Sequence, residues 1–293
     1  MKEIVVLSGK GGTGKTSITA CFSALAQNRV VVDADVDAAD LHLVLQPRVR
    51  MKREFQGGHV AVIDGERCSK CGQCLERCQF NAISENFEVD AVACEGCGVC
   101  VHFCPDGAIH FPQRTCGNWF ISDTPHGPLV HARLGIAQEN SGLLVSLLRK
   151  EAKTLAKEKQ LDTLIVDGPP GIGCPVIASL SGANAVLIIT EPTLSGLHDL
   201  QRVADLAAFF KIPAMAAVNK YDINPEVTER IGAYCRAQDI ILMGNIPYDR
   251  NVTAAMVAQQ SLVEFSRGPA AAAVRRLWQD VSYRLYEDPK KAL

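Results

Sequence analysis

The sequence predicts an α/β protein in which a doubly wound, mostly parallel sheet is interrupted by a smaller α+β domain. Short apolar runs alternate with helical patterns along most of the 293 residues, which is typical of parallel sheets covered by helices. Most of the 12 cysteines are concentrated between Cys68 and Cys104, where large aliphatic side chains are few. The sheet domain is therefore predicted to be discontinuous, comprising residues 1–56 and 114–293, with residues 57–113 as an insertion.

Composition favours a globular protein with no general affinity for polyanions. The chain is 47% hydrophobic and 21% charged, with 30 Lys+Arg against 32 Asp+Glu. Without a net basic field, nucleic acid is not an expected partner. No apolar run approaches the roughly 18 residues of a membrane span, and the first residues lack the regions of a signal peptide. We expect a cytoplasmic protein that does not bind membranes.

The first strand, helix and strand are predicted within the first 33 residues. Residues 3–7 form an apolar run that is typical of a buried parallel strand, and a glycine-rich loop follows it. Apolar residues recur at helical spacing over 16–26, and Val30 to Val32 predict a second strand that ends at Asp33. Beyond them, Gly57-Gly58 is predicted to break the chain before the cysteine-rich insertion.

The same alternation returns after Trp119. A helix capped at Asn140-Ser141 is predicted to run to Ala156. The other predicted elements are strands at 163–166, 185–190, 214–218 and 240–243 and helices at 198–210 and 225–237. Near the end, a helical stripe is formed by Val274, Leu277, Trp278, Val281 and Leu285. We expect this stripe to dock on the sheet rather than on a membrane, since docking is the commoner function of such a pattern.

A phosphate-binding loop lies between the first strand and the first helix. The run from Gly9 to Thr16 matches G-x-x-x-x-G-K-[ST], in which backbone N–H groups curl around a phosphate. Lys15 is expected to reach the β and γ phosphates, and the Thr16 hydroxyl to coordinate Mg²⁺. The candidate binding residues of this loop are Gly9, Gly11, Gly12, Thr13, Gly14, Lys15, Thr16 and Ser17.

Three further charged residues are candidates for the same site. Asp35 and Asp167 follow predicted strands, and the carboxyl ends of parallel strands face the ligand crevice. Asp37 and Asp40 are close to Asp35, and all of these acids could instead cap loops. Lys10 lies within the loop, where it is better placed to reach a ligand of a facing subunit than its own; the alternative is a surface lysine without a role.

The residues Lys10-Gly11-Gly12-Thr13-Gly14-Lys15-Thr16 resemble the deviant Walker A motif of the MinD/Mrp/nitrogenase-iron-protein class of P-loop ATPases. The resemblance implies a P-loop NTPase fold, ATP and Mg²⁺ as ligands and slow ATP hydrolysis. It also implies an ATP-bound dimer, either a homodimer or a heterodimer with a paralogous subunit. In that class the early lysine, here Lys10, reaches the partner's phosphates.

Other segments resemble this class in the same order along the chain. Asp33-Ala34-Asp35 is similar to switch I, which implies that Asp35 positions the attacking water. The segment from Leu164 to Gly171 is similar to Walker B and switch II, which implies Asp167 in the magnesium shell and a Gly171 amide that senses the γ-phosphate. Asn219 and Pro247 fall in segments that resemble the base-binding loops, although Asn219 could equally be a turn residue.

Two cysteine runs in the insertion follow the spacing of bacterial two-cluster ferredoxins, C-x2-C-x2-C-x3-C. In that pattern the fourth cysteine of each run ligates the other cluster. This assigns Cys68, Cys71, Cys74 and Cys104 to one 4Fe-4S cluster. It assigns Cys94, Cys97, Cys100 and Cys78 to a second.

The whole insertion resembles a bacterial dicluster ferredoxin, with Gln79 where the pattern expects proline. Matching segments 80–83 and 106–109 follow the two runs and are expected to supply apolar packing. Zinc is the alternative metal, although zinc modules present separated C-x2-C pairs. The clusters could also be purely structural, because so small a module has little core of its own. Outside the runs, Cys116 and Cys174 are expected to be buried and inert rather than ligands of a dimer-bridging cluster.

Three functions are consistent with these motifs. The leading hypothesis is a dimeric ATPase switch whose nucleotide state is coupled to electron transfer or to redox-dependent docking of a partner protein. The second is a MinD-like positioning or cargo ATPase with sensory or structural clusters. The third is an iron-sulfur scaffold that hands clusters to other proteins.

Overall fold

The computed structural model describes residues 1–135 and 141–286. The strands are β1 (Lys2–Leu7), β2 (Arg29–Asp33), β3 (Arg48–His59), β4 (Val62–Ile63), β5 (Ile109–His110), β6 (Gln113–Thr124), β7 (Gly127–Leu134), β8 (Thr163–Asp167), β9 (Ala185–Thr190), β10 (Ala214–Asn219) and β11 (Ile241–Ile246). The helices are α1 (Lys15–Leu25), α2 (Leu41–Leu45), α3 (Gln73–Arg77), α4 (Val99–His102), α5 (Ser141–Glu158), α6 (Cys174–Leu180), α7 (Leu194–Phe209), α8 (Pro225–Ala237), α9 (Asn251–Val257), α10 (Leu262–Phe265) and α11 (Pro269–Tyr286).

The chain divides into two compact units. Unit 1 comprises residues 1–52, 119–133 and 141–293, and unit 2 comprises residues 53–118 and 134–140. The strands β3 and β6 each begin in one unit and end in the other. The assignment of residues 57–113 to a separate cluster-bearing domain stays a prediction.

The main sheet has nine strands in the order β11-β10-β9-β1-β8-β2-β7-β6-β3. The pairs that join β11 through β7 are all parallel, which confirms the prediction of a mostly parallel α/β sheet. The register sets Asp33 beside Asp167 at the carboxyl ends of β2 and β8. The loops that follow β1, β2 and β8 therefore meet at one edge of the sheet.

Both faces of the central strands are covered, because their side chains alternate between two helical layers. Ile4 and Val6 of β1 belong to an apolar cluster with Phe22 of α1 and Trp278 of α11. On the opposite face, Glu3 accepts a hydrogen bond from Arg149 of α5 at 2.6 Å. This two-sided burial explains why β1 is a continuous apolar run rather than an alternating one.

The terminal stripe docks on the sheet, as predicted. Val274, Leu277, Trp278, Val281 and Leu285 of α11 are all buried in the same cluster as α1 and β1. The rings of Phe22 and Trp278 lie 4.9 Å apart. Within the described ranges, no helix is both long enough and apolar enough to cross a membrane.

The segment before the cysteine runs differs from the prediction. Gly57-Gly58 does not break the chain, because β3 continues through both glycines to His59. The long strand β3 was not predicted, because most of its side chains are exposed and give no apolar periodicity. The strands β6 and β7 were also missed, although β7 is largely buried.

Candidate functional site

The phosphate loop connects β1 to α1 at the carboxyl edge of the sheet. Gly14 precedes α1 with φ of 90°, a left-handed conformation that favours glycine. A Cβ atom on Gly14 would also overlap the side chain of Asn219, and one on Gly9 would overlap Asp199. The glycines are therefore required both by the turn itself and by the close packing of β10 and α7 against it.

Lys15 lies at the floor of the loop between two carboxylates. Its Nζ is 3.0 Å from Asp167 Oδ1 and 3.4 Å from Asp35 Oδ2. Burial alone would lower the pKa of Lys15, but the charges of Asp167 and Asp35 raise it above its usual value. Lys15 therefore carries a positive charge in the site.

Asp167 accepts hydrogen bonds from α1, and its charge contributes to the raised pKa values of Asp33 and Asp35. The Thr16 hydroxyl donates to Asp167 Oδ2 at 2.7 Å, and the Thr19 hydroxyl donates to Asp167 Oδ1 at 2.8 Å. Burial raises the pKa of Asp35, and burial together with the charge of Asp167 raises the pKa of Asp33 well above its usual value. When ionised, Asp35 and Asp167 outnumber the single Lys15 ammonium between them, and a divalent cation would balance the excess negative charge.

Two buried polar atoms of this site have no hydrogen-bond partner among the described residues, Thr13 Oγ1 and Asp33 Oδ1. Unpaired buried oxygens are costly unless a ligand satisfies them. Together with the Thr16 hydroxyl and the Asp167 carboxylate, these oxygens are the donor type that Mg²⁺ prefers. The residues present thus fit a magnesium nucleotide.

A cavity of about 470 Å³ opens beside the loop, a volume typical of small-molecule binding sites. Its apolar wall includes Ile246, Val252 and Met256. Most of the predicted binding residues line it, namely Gly11, Gly12, Thr13, Gly14, Lys15, Thr16, Ser17, Asp35, Asn219 and Pro247.

Three predicted residues make contacts that the motifs do not indicate. The Gly171 N–H, predicted to sense a γ-phosphate, donates to the Ser8 carbonyl at 3.0 Å. Asn219 Nδ2, predicted to read the base, donates to the Thr13 carbonyl at 2.7 Å. Lys10 Nζ lies 2.6 Å from Glu191 Oε1 and 3.1 Å from Ser195 Oγ. In this structure all three are engaged within their own chain.

Glu191 was missed by the sequence analysis. It follows β9 and pairs with both Lys10 and Lys220, whose Nζ lies 3.3 Å from Glu191 Oε2. Burial would raise the pKa of Glu191, but the hydrogen bond from Lys10 and the charge of Lys220 outweigh burial and lower this pKa. The strand-end rule that selected Asp35 and Asp167 would also have selected Glu191, because it is the first residue after a buried parallel strand.

In unit 2 the two cysteine runs adopt the same local structure. A glycine with positive φ precedes each short helix, Gly72 before α3 and Gly98 before α4. The thiols of Cys78 and Cys104 accept the N–H groups of Ala82 and Ala108 at 3.4 and 3.3 Å. Equivalent positions in the two runs therefore have equivalent backbone conformations.

The apolar segments behind the runs pack as predicted. Ile83 and Ile109 are buried in one small core with Cys74 and Ala61. The strands β4 and β5 pair antiparallel, and Ile83 bridges Val89 in a second antiparallel pair.

The predicted ligands of the second cluster surround one cavity. Cys78, Cys94, Cys97 and Cys100 all line one small cavity, together with apolar residues such as Phe80, Ile83 and Phe111. Burial raises the pKa of the Cys100 thiol, and the neighbouring thiols Cys94 and Cys97 add to this effect.

In the first run, burial raises the pKa of the Cys74 thiol, with smaller contributions from Cys68 and Cys71. Cys104 packs against the core of unit 2.

Among the described residues, no group of three or more His, Cys, Asp or Glu side chains converges on a point that could hold a metal ion. A 4Fe-4S cubane makes a different demand, because each of its four thiolates binds a separate iron. Its ligands must surround a cavity rather than meet at a point. Four of the residues that line this cavity are cysteines, whose thiolates are the ligands that such a cluster requires.

Of Cys116 and Cys174, one confirms the expectation and one corrects it. Cys116 is buried, and its thiol donates to the Gly57 carbonyl at 2.7 Å. Cys174 is exposed at the start of α6, contrary to the expectation that it is buried. Cys174 lies at the end of the loop rich in glycine and proline that follows Asp167.

Comparisons with known proteins agree with this geometry. Residues 4–262 match the CobQ/CobB/MinD/ParA nucleotide binding domain. An uncharacterised protein of Methanocaldococcus jannaschii is 34% identical over 226 residues, which cover 76% of this chain and 79% of that protein.

Solved structures of MinD share the fold at low sequence identity. The septum site-determining protein MinD of Pyrococcus horikoshii, complexed with Mg-ADP, has a TM-score of 0.60 at 17% identity over 97% of both chains. A MinC:MinD cell division complex of Aquifex aeolicus has a TM-score of 0.59 at 18% identity, covering 99% of this chain and 98% of that one.

Proposed function

The chain belongs to the CobQ/CobB/MinD/ParA nucleotide-binding family, and we propose that it is a slow, dimeric ATPase switch that carries two 4Fe-4S clusters in unit 2. Its nucleotide state is coupled to electron transfer or to redox-dependent docking of a partner protein. The observation that carries the cluster assignment is the cavity that Cys78 of the first run shares with three cysteines of the second.

In the nucleotide half, each residue has a role that its position supports. The loop amides of Gly11 to Thr16 hold the phosphates, and the Lys15 ammonium neutralises the charge that builds up on the β and γ oxygens. Thr16 and Asp167, already bonded to each other, would hold Mg²⁺. Asp35 lies at the cavity wall, where it orients the attacking water.

In the cysteine half, Cys78 would join Cys94, Cys97 and Cys100 around one cluster, and Cys104 would join Cys68, Cys71 and Cys74 around the other. When bound, such clusters supply one-electron chemistry. The residues of this chain set their environment. The N–H groups of Ala82 and Ala108 bond to ligand thiols, and such bonds raise the reduction potential by stabilising added negative charge.

Iron analysis of cysteine variants tests the ligand assignment. Anaerobically purified protein is expected to hold about eight irons, and Cys78→Ala about four. Adding Cys94→Ala to Cys78→Ala then removes little more iron, because both serve one cluster, whereas adding Cys68→Ala removes the remainder. Cys174→Ala, an exposed cysteine outside both runs, retains all the iron. Iron-free wild-type protein, or zinc in its place, would refute the clusters.

Coupling between the halves has a separate test. Adding Mg-ATP to the reduced protein is expected to change the EPR signal or the midpoint potential of the clusters, and Lys15→Ala abolishes this response. An ATP-binding protein whose clusters and oligomeric state ignore the nucleotide would contradict the coupling, but not the clusters.

A MinD-like positioning ATPase is the second candidate, favoured by the MinD structures that align with nearly the whole chain. Imaging a fluorescent fusion of Cys94→Ala in cells discriminates the two. Patterned localisation that survives cluster loss favours positioning, and localisation or partner binding that is lost with the cluster favours the redox-coupled switch.

A further inference from the structure

Side chains at the ends of β9 and β10 hold the outer side of the phosphate loop. Lys220 Nζ donates to the Gly12 carbonyl at 3.1 Å, and Asn219 Nδ2 donates to the Thr13 carbonyl at 2.7 Å. Two successive carbonyls of the loop are thus tied to the end of one strand. Lys220 is itself paired with Glu191 at 3.3 Å.

Fixing these carbonyls also fixes the amides that face a phosphate. The peptide unit is planar and trans, so the C=O of one residue and the N–H of the next point in opposite directions. When Lys220 and Asn219 draw the carbonyls of Gly12 and Thr13 outward, the N–H groups of Thr13 and Gly14 turn the other way, toward the cavity.

Glu191 is an unexpected residue at an anion-binding loop. A carboxylate close to a triphosphate repels it, and this repulsion should weaken nucleotide binding. Glu191 is nevertheless held between two ammonium groups, Lys10 at 2.6 Å and Lys220 at 3.3 Å, with only 17% of its side chain exposed. Its contacts are to the lysines that border the loop.

We propose that Glu191 and Lys220 are positioning residues that brace the phosphate loop in its nucleotide-binding conformation, Glu191 by holding Lys220 and Lys220 by holding the Gly12 carbonyl. This inference rests on the proposed function, since it requires the loop to bind ATP. Glu191 is not among the residues that line the nucleotide cavity, and Lys220 lines the cavity while its ammonium bonds to the Gly12 carbonyl.

The charge of Glu191 makes the proposal sharply testable by calorimetric titration of the full chain with Mg-ATP. Simple electrostatics predicts that Glu191→Gln binds ATP more tightly, because it removes a repelling charge. The proposed positioning role of Glu191 predicts the opposite, a dissociation constant for ATP at least about threefold higher than that of wild type. Glu229→Gln, an exposed acid on α8, is the matched control and leaves the affinity unchanged. Equal or tighter binding by Glu191→Gln overturns the proposal.

Lys220→Met keeps the apolar stem and removes the ammonium. We expect this variant to bind ATP about tenfold more weakly than wild type. Lys220→Arg can still reach the Gly12 carbonyl and is expected to keep most of the wild-type affinity. Lys211→Met is the control, because Lys211 has the same left-handed backbone, φ of 56°, away from the loop.

Amide hydrogen exchange provides a readout that does not depend on nucleotide. In the nucleotide-free protein, residues 9–14 are expected to exchange faster in Lys220→Met and Glu191→Gln, with an unchanged unfolding midpoint. Unchanged amide exchange and unchanged ATP affinity in both variants would overturn the positioning role of Glu191 and Lys220 without contradicting the proposed ATPase function. Wild-type protein that binds no ATP would remove the proposed function and this inference together.

Discussion

At the scale of single residues, Lys15 and Asp167 show how the site combines stability and function. Only 6% of the Lys15 side chain and none of that of Asp167 is exposed, so neither charge is solvated by water. Each charge is tolerated because the other is 3.0 Å away. The same pair holds the positions where phosphate and Mg²⁺ are proposed to bind.

Removing the ammonium from this pair should therefore destabilise the empty protein. Lys15→Met leaves two buried carboxylates without their cation, and we expect a loss of about 3 kcal/mol in the free energy of unfolding. Urea denaturation measures it. Adding Asp167→Asn should recover part of the loss, because the double variant no longer buries an unpaired charge there. Purely additive losses would show that the pair is not coupled.

His131 is a second buried residue with a consequence for stability. Its ring lies 2.9 Å from the Ser122 hydroxyl and stacks on Phe120. Burial, with smaller effects from the charges of His42 and Arg133, lowers the pKa of His131 to about 4. The folded state therefore binds fewer protons at this residue than the unfolded state does between that pKa and about 6.5.

Stability is consequently expected to fall as the pH drops from about 6.5 to 4, by roughly 3 kcal/mol from this residue. The contribution of His131 is complete above the unfolded pKa. His131→Gln keeps a hydrogen-bonding partner for Ser122 without the titration, so its stability should fall less over the same range. Parallel curves of unfolding free energy against pH for the two proteins would contradict this assignment.

At the scale of elements, the helix that follows the phosphate loop is held by packing rather than by a side-chain cap. The helix α1 has no side-chain cap, and its N-terminal N–H groups are left for the phosphates. Its inner face packs against α11 through Phe22 and Trp278. The terminal helix thus supports the element that begins the nucleotide site.

Truncating the Trp278 side chain tests how far the packing of α1 depends on α11. We expect Trp278→Ala to lower the free energy of unfolding by about 3 to 5 kcal/mol, because it leaves a cavity between α11 and α1. Gln279→Ala, on the exposed side of the same helix, should stay within about 0.5 kcal/mol of wild type. If Trp278→Ala instead left stability unchanged and reduced sedimentation with anionic vesicles, the helix would be a membrane element.

At the scale of the whole molecule, two long strands connect the two units of the chain. The strands β3 and β6 carry the backbone out of the nucleotide unit and back into it. In the sequence the insertion follows α2, which begins soon after Asp35 of the predicted switch I. This placement is the reason to propose that nucleotide state and cluster state influence each other.

The proposed dimer depends on Lys10. In the single chain Lys10 is paired with Glu191, and in the dimer it would exchange this partner for phosphates of the facing subunit. In an Asp35→Ala background that slows hydrolysis, we expect Mg-ATP to produce a dimer in analytical ultracentrifugation. Adding Lys10→Ala should abolish the dimer while each chain still binds ATP. A dimer that persists without Lys10 would assign this lysine to the surface role.

The sequence by itself determined the local chemistry of this protein. The phosphate loop is contiguous from Gly9 to Thr16, so its residues bring one another together whatever the rest of the chain does. The spacing of each cysteine run likewise fixes three thiols in one loop and its helix. Apolar runs predicted the buried strands, because burial on both faces leaves that pattern in the sequence.

Only the tertiary structure decided which distant residues meet. Glu191 reaches Lys10 and Lys220, and Asp33 lies beside Asp167. The exposed strand β3 and the exposed Cys174 also escaped prediction, because exposed segments carry no periodic signal. These contacts arise from strand register and from the packing of segments far apart in the chain, neither of which a local pattern of side chains records.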